Sequence, residues 1–144
     1  MKKKMTAKAA KARLQNAGLE LTDHRQTVLL AVANADNPCS APEIFEQLKQ
    51  GINRVTVYRI LDLLVEKGVL NRLGLGEKSQ RFCLRGAEPG EEHAHFHCTK
   101  CDKYLCLETP SISLDSQAML TIPMDIEHVD IRLEGVCQSC KNLR

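Results

Sequence analysis

Cys98-Thr99-Lys100-Cys101 and Cys137-Gln138-Ser139-Cys140 are two C-x-x-C knuckles, separated by residues 102–136. The two-residue spacing lets both thiolates of a knuckle reach one ion at about 2.3 Å, and two knuckles complete the tetrahedral S4 shell of structural zinc. The same spacing serves redox dithiols, and four cysteines can also pair as two disulfides. Repetition at the two ends of one segment favours the metal. Just ahead of the first knuckle stands His93-Ala94-His95-Phe96-His97, and further cysteines lie at positions 83 and 106. A closed S4 shell has no use for these donors, so they point to a second metal site of a different kind.

The elements that must position these residues divide into two halves of opposite charge. Residues 1–85 carry 15 Lys and Arg against 8 Asp and Glu, whereas residues 86–144 carry 5 against 10. A basic half joined to an acidic half reads as a polyanion-binding module plus something else. Aromatic residues make up only 3% of the chain, too few for a base-stacking platform, which favours duplex DNA over single strands. With 144 residues and 43% hydrophobic content, one compact domain or two small ones can form, and two small ones explain a metal staple. Seven cysteines without a secretory h-region imply a reducing cytoplasm, and no apolar run nears the roughly 20 residues of a membrane span. A soluble cytoplasmic protein is expected.

Residues 6–17 are rich in Ala, Lys and Arg and predict a helix ended by Gly18. Thr22 is placed to cap a second helix, Ser40 with Glu43 forms a capping box for a short third, and Asn53 caps a fourth that closes at Gly68. Residues 69–73 and 79–84 read as a hairpin around Gly74-Leu75-Gly76-Glu77. Short helices followed by a hairpin are the order of a winged helix-turn-helix, whose last helix enters the major groove. Gly86 to Glu92 is a Gly, Pro and acid stretch that serves as a hinge. Beyond it, residues 94–98, 103–107 and the alternation Val129, Ile131, Leu133 are strand-like, and 111–121 has the pattern of one helix.

Thr56-Val57-Tyr58-Arg59 sits near the start of the fourth helix, where recognition helices meet base edges. Tyr58 offers a ring to a thymine methyl, Arg54 and Arg59 offer donors to guanine or phosphate, and Lys8 and Lys11 suit backbone contacts. The competing reading is an amphipathic helix whose polar face is merely solvated.

Gly18-Leu19-x-x-Thr22-x-x-Arg25, Thr56-Val57-Tyr58-Arg59, His93-x-His95-x-x-Cys98-x-x-Cys101 and Gly135-x-Cys137-x-x-Cys140 together resemble the ferric uptake regulator family, in order and across nearly the whole chain. The resemblance implies an α+β architecture: an N-terminal winged helix-turn-helix domain (1–85), a hinge (86–92) and a C-terminal α/β dimerisation and metal-binding domain (93–144). It implies a homodimeric, metal-dependent DNA-binding repressor, a structural zinc on Cys98, Cys101, Cys137 and Cys140, and a sensory ion at the hinge.

The chain departs from the iron-sensing members of that family in an informative way. Cys83 replaces a carboxylate at the end of the wing, as in zinc-sensing relatives, Cys106 replaces a second carboxylate, and Pro38 takes the place of a histidine before the third helix. The regulatory candidates are therefore Cys83, His93, His95 and Cys106, two thiolates and two imidazoles that suit Zn(II) over Fe(II) or Mn(II). Glu108 is a possible substitute for Cys106 and His128 a possible outer ligand; His97 falls where the family has no ligand, and Cys39 reads as structural. An auxiliary site found in relatives maps to Glu92, Ala94, Ser113 and Val129 and is expected to be absent. The favoured reading is a zinc-responsive repressor of zinc uptake genes acting on a palindromic operator. Its alternatives are an iron- or peroxide-responsive relative, or, from another class, a zinc-trafficking protein or metalloenzyme. Against an enzyme, the chain has no H-E-x-x-H, no nucleophile motif and no carboxylate paired with the histidines as a base.

Overall fold

The computed structural model of the chain describes residues 4–74, 80–86, 94–107, 121–125 and 131–142. These fall into two compact units, Met1–Glu91 and Glu92–Arg144.

The first unit opens with α1 (Ala7–Asn16), α2 (Asp23–Ala33), α3 (Ala41–Leu48) and α4 (Arg54–Glu66). Each begins on a polar side chain that accepts from an otherwise unpaired N–H two or three residues into the helix. Thr6 caps α1, Thr22 accepts from the Arg25 N–H, Ser40 from Glu43 and Asn53 from Thr56. At Ser40 the expected capping box is only half made. The Glu43 carboxylate lies 3.5 Å from Arg81 Nη1 instead of returning to the Ser40 N–H, because the wing presents a cation that outbids a single amide.

Two helices stop on left-handed glycines. After α1, Gly18 has φ 76°, and the Leu19 N–H reaches back to the Leu14 carbonyl at 3.0 Å. After α4, Gly68 has φ 74°, and the Val69 N–H reaches the Leu64 carbonyl at 2.9 Å. Both are six-to-one closures that satisfy a terminal carbonyl and turn an apolar residue back onto the helix.

Strands β1 (Leu70–Leu73) and β2 (Arg81–Leu84) form an antiparallel ribbon with Leu70 opposite Leu84 and Asn71 opposite Cys83. Of the expected turn Gly74-Leu75-Gly76-Glu77, Gly74 has a left-handed φ of 76° and residues 75–77 lie outside the described residues. Cys39 bridges to Phe82 through two backbone hydrogen bonds of 2.8 and 3.1 Å, which attach the α3 entry to the ribbon. Buried apolar side chains from all four helices and the ribbon, among them Leu14, Leu29, Ile44, Leu61, Leu64, Leu70 and Phe82, form one core. Arg13 adds a polar clasp, donating from Nη2 to the carbonyl of Arg85 at 3.0 Å.

Among the described residues, the second unit holds a three-stranded sheet of order β4-β3-β5, with β3 (Ala94–Cys98), β4 (Tyr104–Leu107) and β5 (Arg132–Gly135). β3 runs antiparallel to β4 and parallel to β5. A one-turn helix, here α5 (Gln138–Lys141), follows β5; the sequence reading had no element there. The helix expected over 111–121 lies almost wholly outside the described residues.

The cap geometry sets a testable contrast. A Cβ at Gly68 meets nothing closer than Arg85 Nη1 at 3.5 Å, so its cost is conformational, and Gly68→Ala should lower stability by about 1 kcal/mol. Gly51 has no left-handed φ and open space around it, so Gly51→Ala should leave stability unchanged or raise it by about 0.5 kcal/mol. Urea unfolding of the full chain followed by far-UV circular dichroism measures both. Equal effects at the two glycines would rule out the left-handed cap as the cause.

Candidate metal centres and nucleic-acid interface

The parallel pairing of β3 and β5 explains how knuckles far apart in sequence meet. Parallel strands end at the same edge of a sheet, and the register sets Cys98 opposite Gly135, two residues before Cys137. From Cys98 the chain turns back at once: the Asp102 N–H donates to the Cys98 carbonyl at 2.9 Å, and Asp102 takes a left-handed φ of 64°. The Thr99 N–H donates to the Gly135 carbonyl at 2.7 Å, which ties the first knuckle to the strand leading into the second. Cys137 is the N-cap of α5, and Cys140 lies one helical turn on.

The four Sγ atoms of Cys98, Cys101, Cys137 and Cys140 all lie within 4.8 Å of one another, with Cys101 and Cys137 at 3.8 Å. A tetrahedral thiolate shell with bonds of about 2.3 Å has sulfur–sulfur edges of about 3.8 Å, so the cluster has the size of one ion's shell. All seven cysteines are free thiols, and the four sulfurs converge on one point instead of forming two bonded pairs. The electrostatics fit a cation. The backbone N–H groups of Cys101 and then Cys137, the latter at 3.3 Å, pull the Cys98 thiol down to about 6. Its neighbour Cys140 is pushed up to about 12, first by its hydrogen bond with Cys137 and then by burial. A divalent ion among the four would hold all of them as thiolates.

The second candidate set is distributed over both units. In the sheet, His95 and Cys106 are direct cross-strand partners on β3 and β4; His95 is buried and Cys106 half-buried. Cys83 is buried in β2 of the first unit, with the Asn71 amide 3.9 Å from its sulfur. His93, Glu108 and His128 lie outside the described residues, as do Glu92, Ser113 and Val129 of the auxiliary set; Ala94 opens β3 and offers no donor. His97 is buried and engaged with Asp102 and Arg132. Cys39 is buried at its bridge to Phe82, a structural place.

On α4, Val57, Ile60, Leu61 and Leu64 face the core, which turns the opposite side of the first two turns outward. Arg59 is exposed there, and Thr56 and Tyr58 are half-buried at its flanks. Arg54 is exposed, but its guanidinium stands 5.1 Å over the Phe45 ring of α3, so it leans along the protein and away from that outward stripe. Val55, 57% exposed and one helical turn before Arg59, occupies the stripe instead, and sequence reading passed it over. Its signal was an apolar residue directly opposite the buried stripe. Lys8 and Lys11 are exposed on α1. An open groove of about 400 Å³ separates the start of α2 from α4, lined by Thr22, Asp23, His24, Arg25, Thr56 and Ile60.

Comparison with known proteins converges on one family. The model of the ferric uptake regulator family matches residues 16–134. The peroxide-responsive repressor PerR of Staphylococcus epidermidis is 27% identical over 136 residues, covering 90% of this chain and 87% of that protein. Among solved structures, the ferric uptake regulator Fur of Helicobacter pylori superimposes with a TM-score of 0.70 at 19% identity, covering 98% of this chain and 97% of that one. A zinc uptake regulator complexed with zinc and DNA gives a TM-score of 0.65 at 22% identity, covering 95% and 93%. At these identities the structural likenesses speak to the fold; the family model, matching most of the chain, speaks to descent. The chain belongs to the ferric uptake regulator family of metal-dependent transcriptional regulators.

Proposed function

We propose that this chain is a zinc-responsive repressor of zinc acquisition genes, which binds a palindromic operator as a homodimer in the cytoplasm. The winged-helix domain (1–85) binds DNA, residues 86–92 are the hinge, and residues 93–144 carry dimerisation and metal. Cys98, Cys101, Cys137 and Cys140 hold a structural zinc. Cys83, His93, His95 and Cys106 hold the regulatory ion, with donors on both sides of the hinge. Metal affinity is then spent partly on selecting one arrangement of the DNA-binding domains, the one whose recognition helices match major grooves about 34 Å apart.

The observation that carries the choice of metal is the cross-strand pair of His95 and Cys106. An imidazole and a thiol side by side on one sheet, with a third soft donor in Cys83, favour Zn(II); Fe(II) and Mn(II) sensors favour nitrogen and oxygen. A second reading, a peroxide- or iron-responsive repressor, draws on the PerR relative at 27% identity.

DNA binding titrated at buffered free metal separates the two readings. Zn(II) should drive retardation of an operator duplex at a lower free concentration than Fe(II) or Mn(II), and Cys83→Ser should abolish the zinc response while keeping dimer and structural zinc. Activation by Fe(II) at the lower concentration, or a wild-type zinc response in Cys83→Ser, would transfer the assignment to the iron and peroxide reading.

Loss of a knuckle should behave differently. Cys98→Ser or Cys137→Ser should release about one zinc per chain and unfold the C-terminal unit, because structural-site binding energy, on the order of 10 kcal/mol, is folding energy. Elemental analysis with size-exclusion chromatography reads this; a dimer of unchanged zinc content would refute the S4 assignment. At the DNA interface, Tyr58→Ala and Arg59→Ala should each cost roughly 1 to 3 kcal/mol of operator affinity with metal content intact. Lys8→Ala or Lys11→Ala should instead weaken all duplexes alike and flatten the salt dependence. Unchanged affinity in the Tyr58 and Arg59 variants would remove α4 from the interface.

A further inference from the structure

We infer that His97 and Asp102 are positioning residues for the four-cysteine centre, a side-chain clasp that holds the first knuckle closed and ties it to the strand feeding the second. This rests on the reading that the four cysteines bind a metal.

His97 is the residue before Cys98 and Asp102 the residue after Cys101, so they are the two ends of the knuckle. Their side chains meet across its base, with His97 Nε2 2.6 Å from Asp102 Oδ1. The other ring nitrogen, Nδ1, lies 2.9 Å from Arg132 Nη2 and 3.5 Å from Glu134 Oε1. A guanidinium only donates, so in the neutral ring Nδ1 accepts from the nearer Arg132 and Nε2–H donates to Asp102. Arg132 is itself held 2.7 Å from Glu134, and both belong to β5, which runs directly into Cys137. His97 is 8% exposed, and its ring stacks on Tyr104 of β4 with ring centroids 4.5 Å apart, which fixes its plane. The chain of contacts Asp102, His97, Arg132, Glu134 thus connects both halves of the centre without passing through any sulfur.

Two features argue for a role beyond ordinary packing. Both nitrogens of His97 are engaged, which leaves it no lone pair for an ion, although it stands among the histidines that made this segment look metal-rich. Asp102 holds the left-handed φ of 64° that glycine adopts most readily, while its carboxylate is committed to the clasp. Partners outside the ligand set that fix ligand direction commonly change metal affinity 10- to 100-fold when removed. Here the expected result is slower escape of the ion, because one thiolate can dissociate without the knuckle opening.

The test measures zinc transfer from the full-length dimer to excess chromophoric chelator, alongside thermal unfolding and the ligand-field bands of the Co(II)-substituted centre. Asp102→Gly suits the backbone and removes only the carboxylate, so it should fold normally yet release zinc about 10-fold faster or more. Asp102→Asn keeps an acceptor oxygen and tolerates the left-handed φ, so it should release zinc at close to the wild-type rate. His97→Ala should release zinc at least as fast as Asp102→Gly, since it also removes the Arg132 contact, and the double variant should be no faster than His97→Ala, as expected for one shared contact. Release from Asp102→Gly at or below the wild-type rate would assign Asp102 a backbone role and overturn the clasp. Wild-type release from His97→Ala would overturn it equally, while the wild-type zinc content would leave the four-cysteine reading standing. A wild-type protein that carries no metal would remove both.

Discussion

Strand β3 is hydrogen-bonded on both edges, and the rest of the second unit depends on that arrangement. Its antiparallel partner β4 follows after a tight turn, a local pairing that a short segment forms readily. Its parallel partner β5 is reached only after a long connection, and nothing local favours that pairing. Closing the parallel register brings four sulfurs together within the span of one ion's shell. A cation bound among them would stabilise the cluster and the parallel pair in one event. A small unit gains most from such a staple.

The first unit is held by the opposite means. Its core is continuous and apolar from Ala10 to Phe82, its helices are capped by their own side chains, and glycines close two of them. The outward side of α4 carries Val55 and Arg59 because the buried stripe claims the other side. A rigid helix presenting a fixed set of side chains is what base readout demands.

β3 also joins the two metal questions. His95, His97 and Cys98 lie within four consecutive positions, so anything that fixes the knuckle fixes where the imidazoles stand. Alternation on a strand places His95 and His97 on one face, yet their neighbours separate them: His95 faces Cys106, while His97 faces Tyr104 and is taken up by Asp102 and Arg132. Identical residue types two positions apart thus acquire different chemistry from the strand beside them.

Local features were legible in the sequence by itself. The caps at Thr22, Ser40 and Asn53, the stops at Gly18 and Gly68, the order of helices and ribbon, and the membership of the four-cysteine cluster all depend on residues within a few positions of one another or on a spacing that one ion can impose. What only the tertiary structure decided involves partners distant in the chain. The parallel register of β3 and β5, the capture of Glu43 by Arg81, the tilt of Arg54 onto Phe45 and the engagement of His97 by Arg132 belong to that group. Such contacts leave no period and no spacing in the chain, because a side chain's choice among competing partners is made by distance and burial after the backbone has closed.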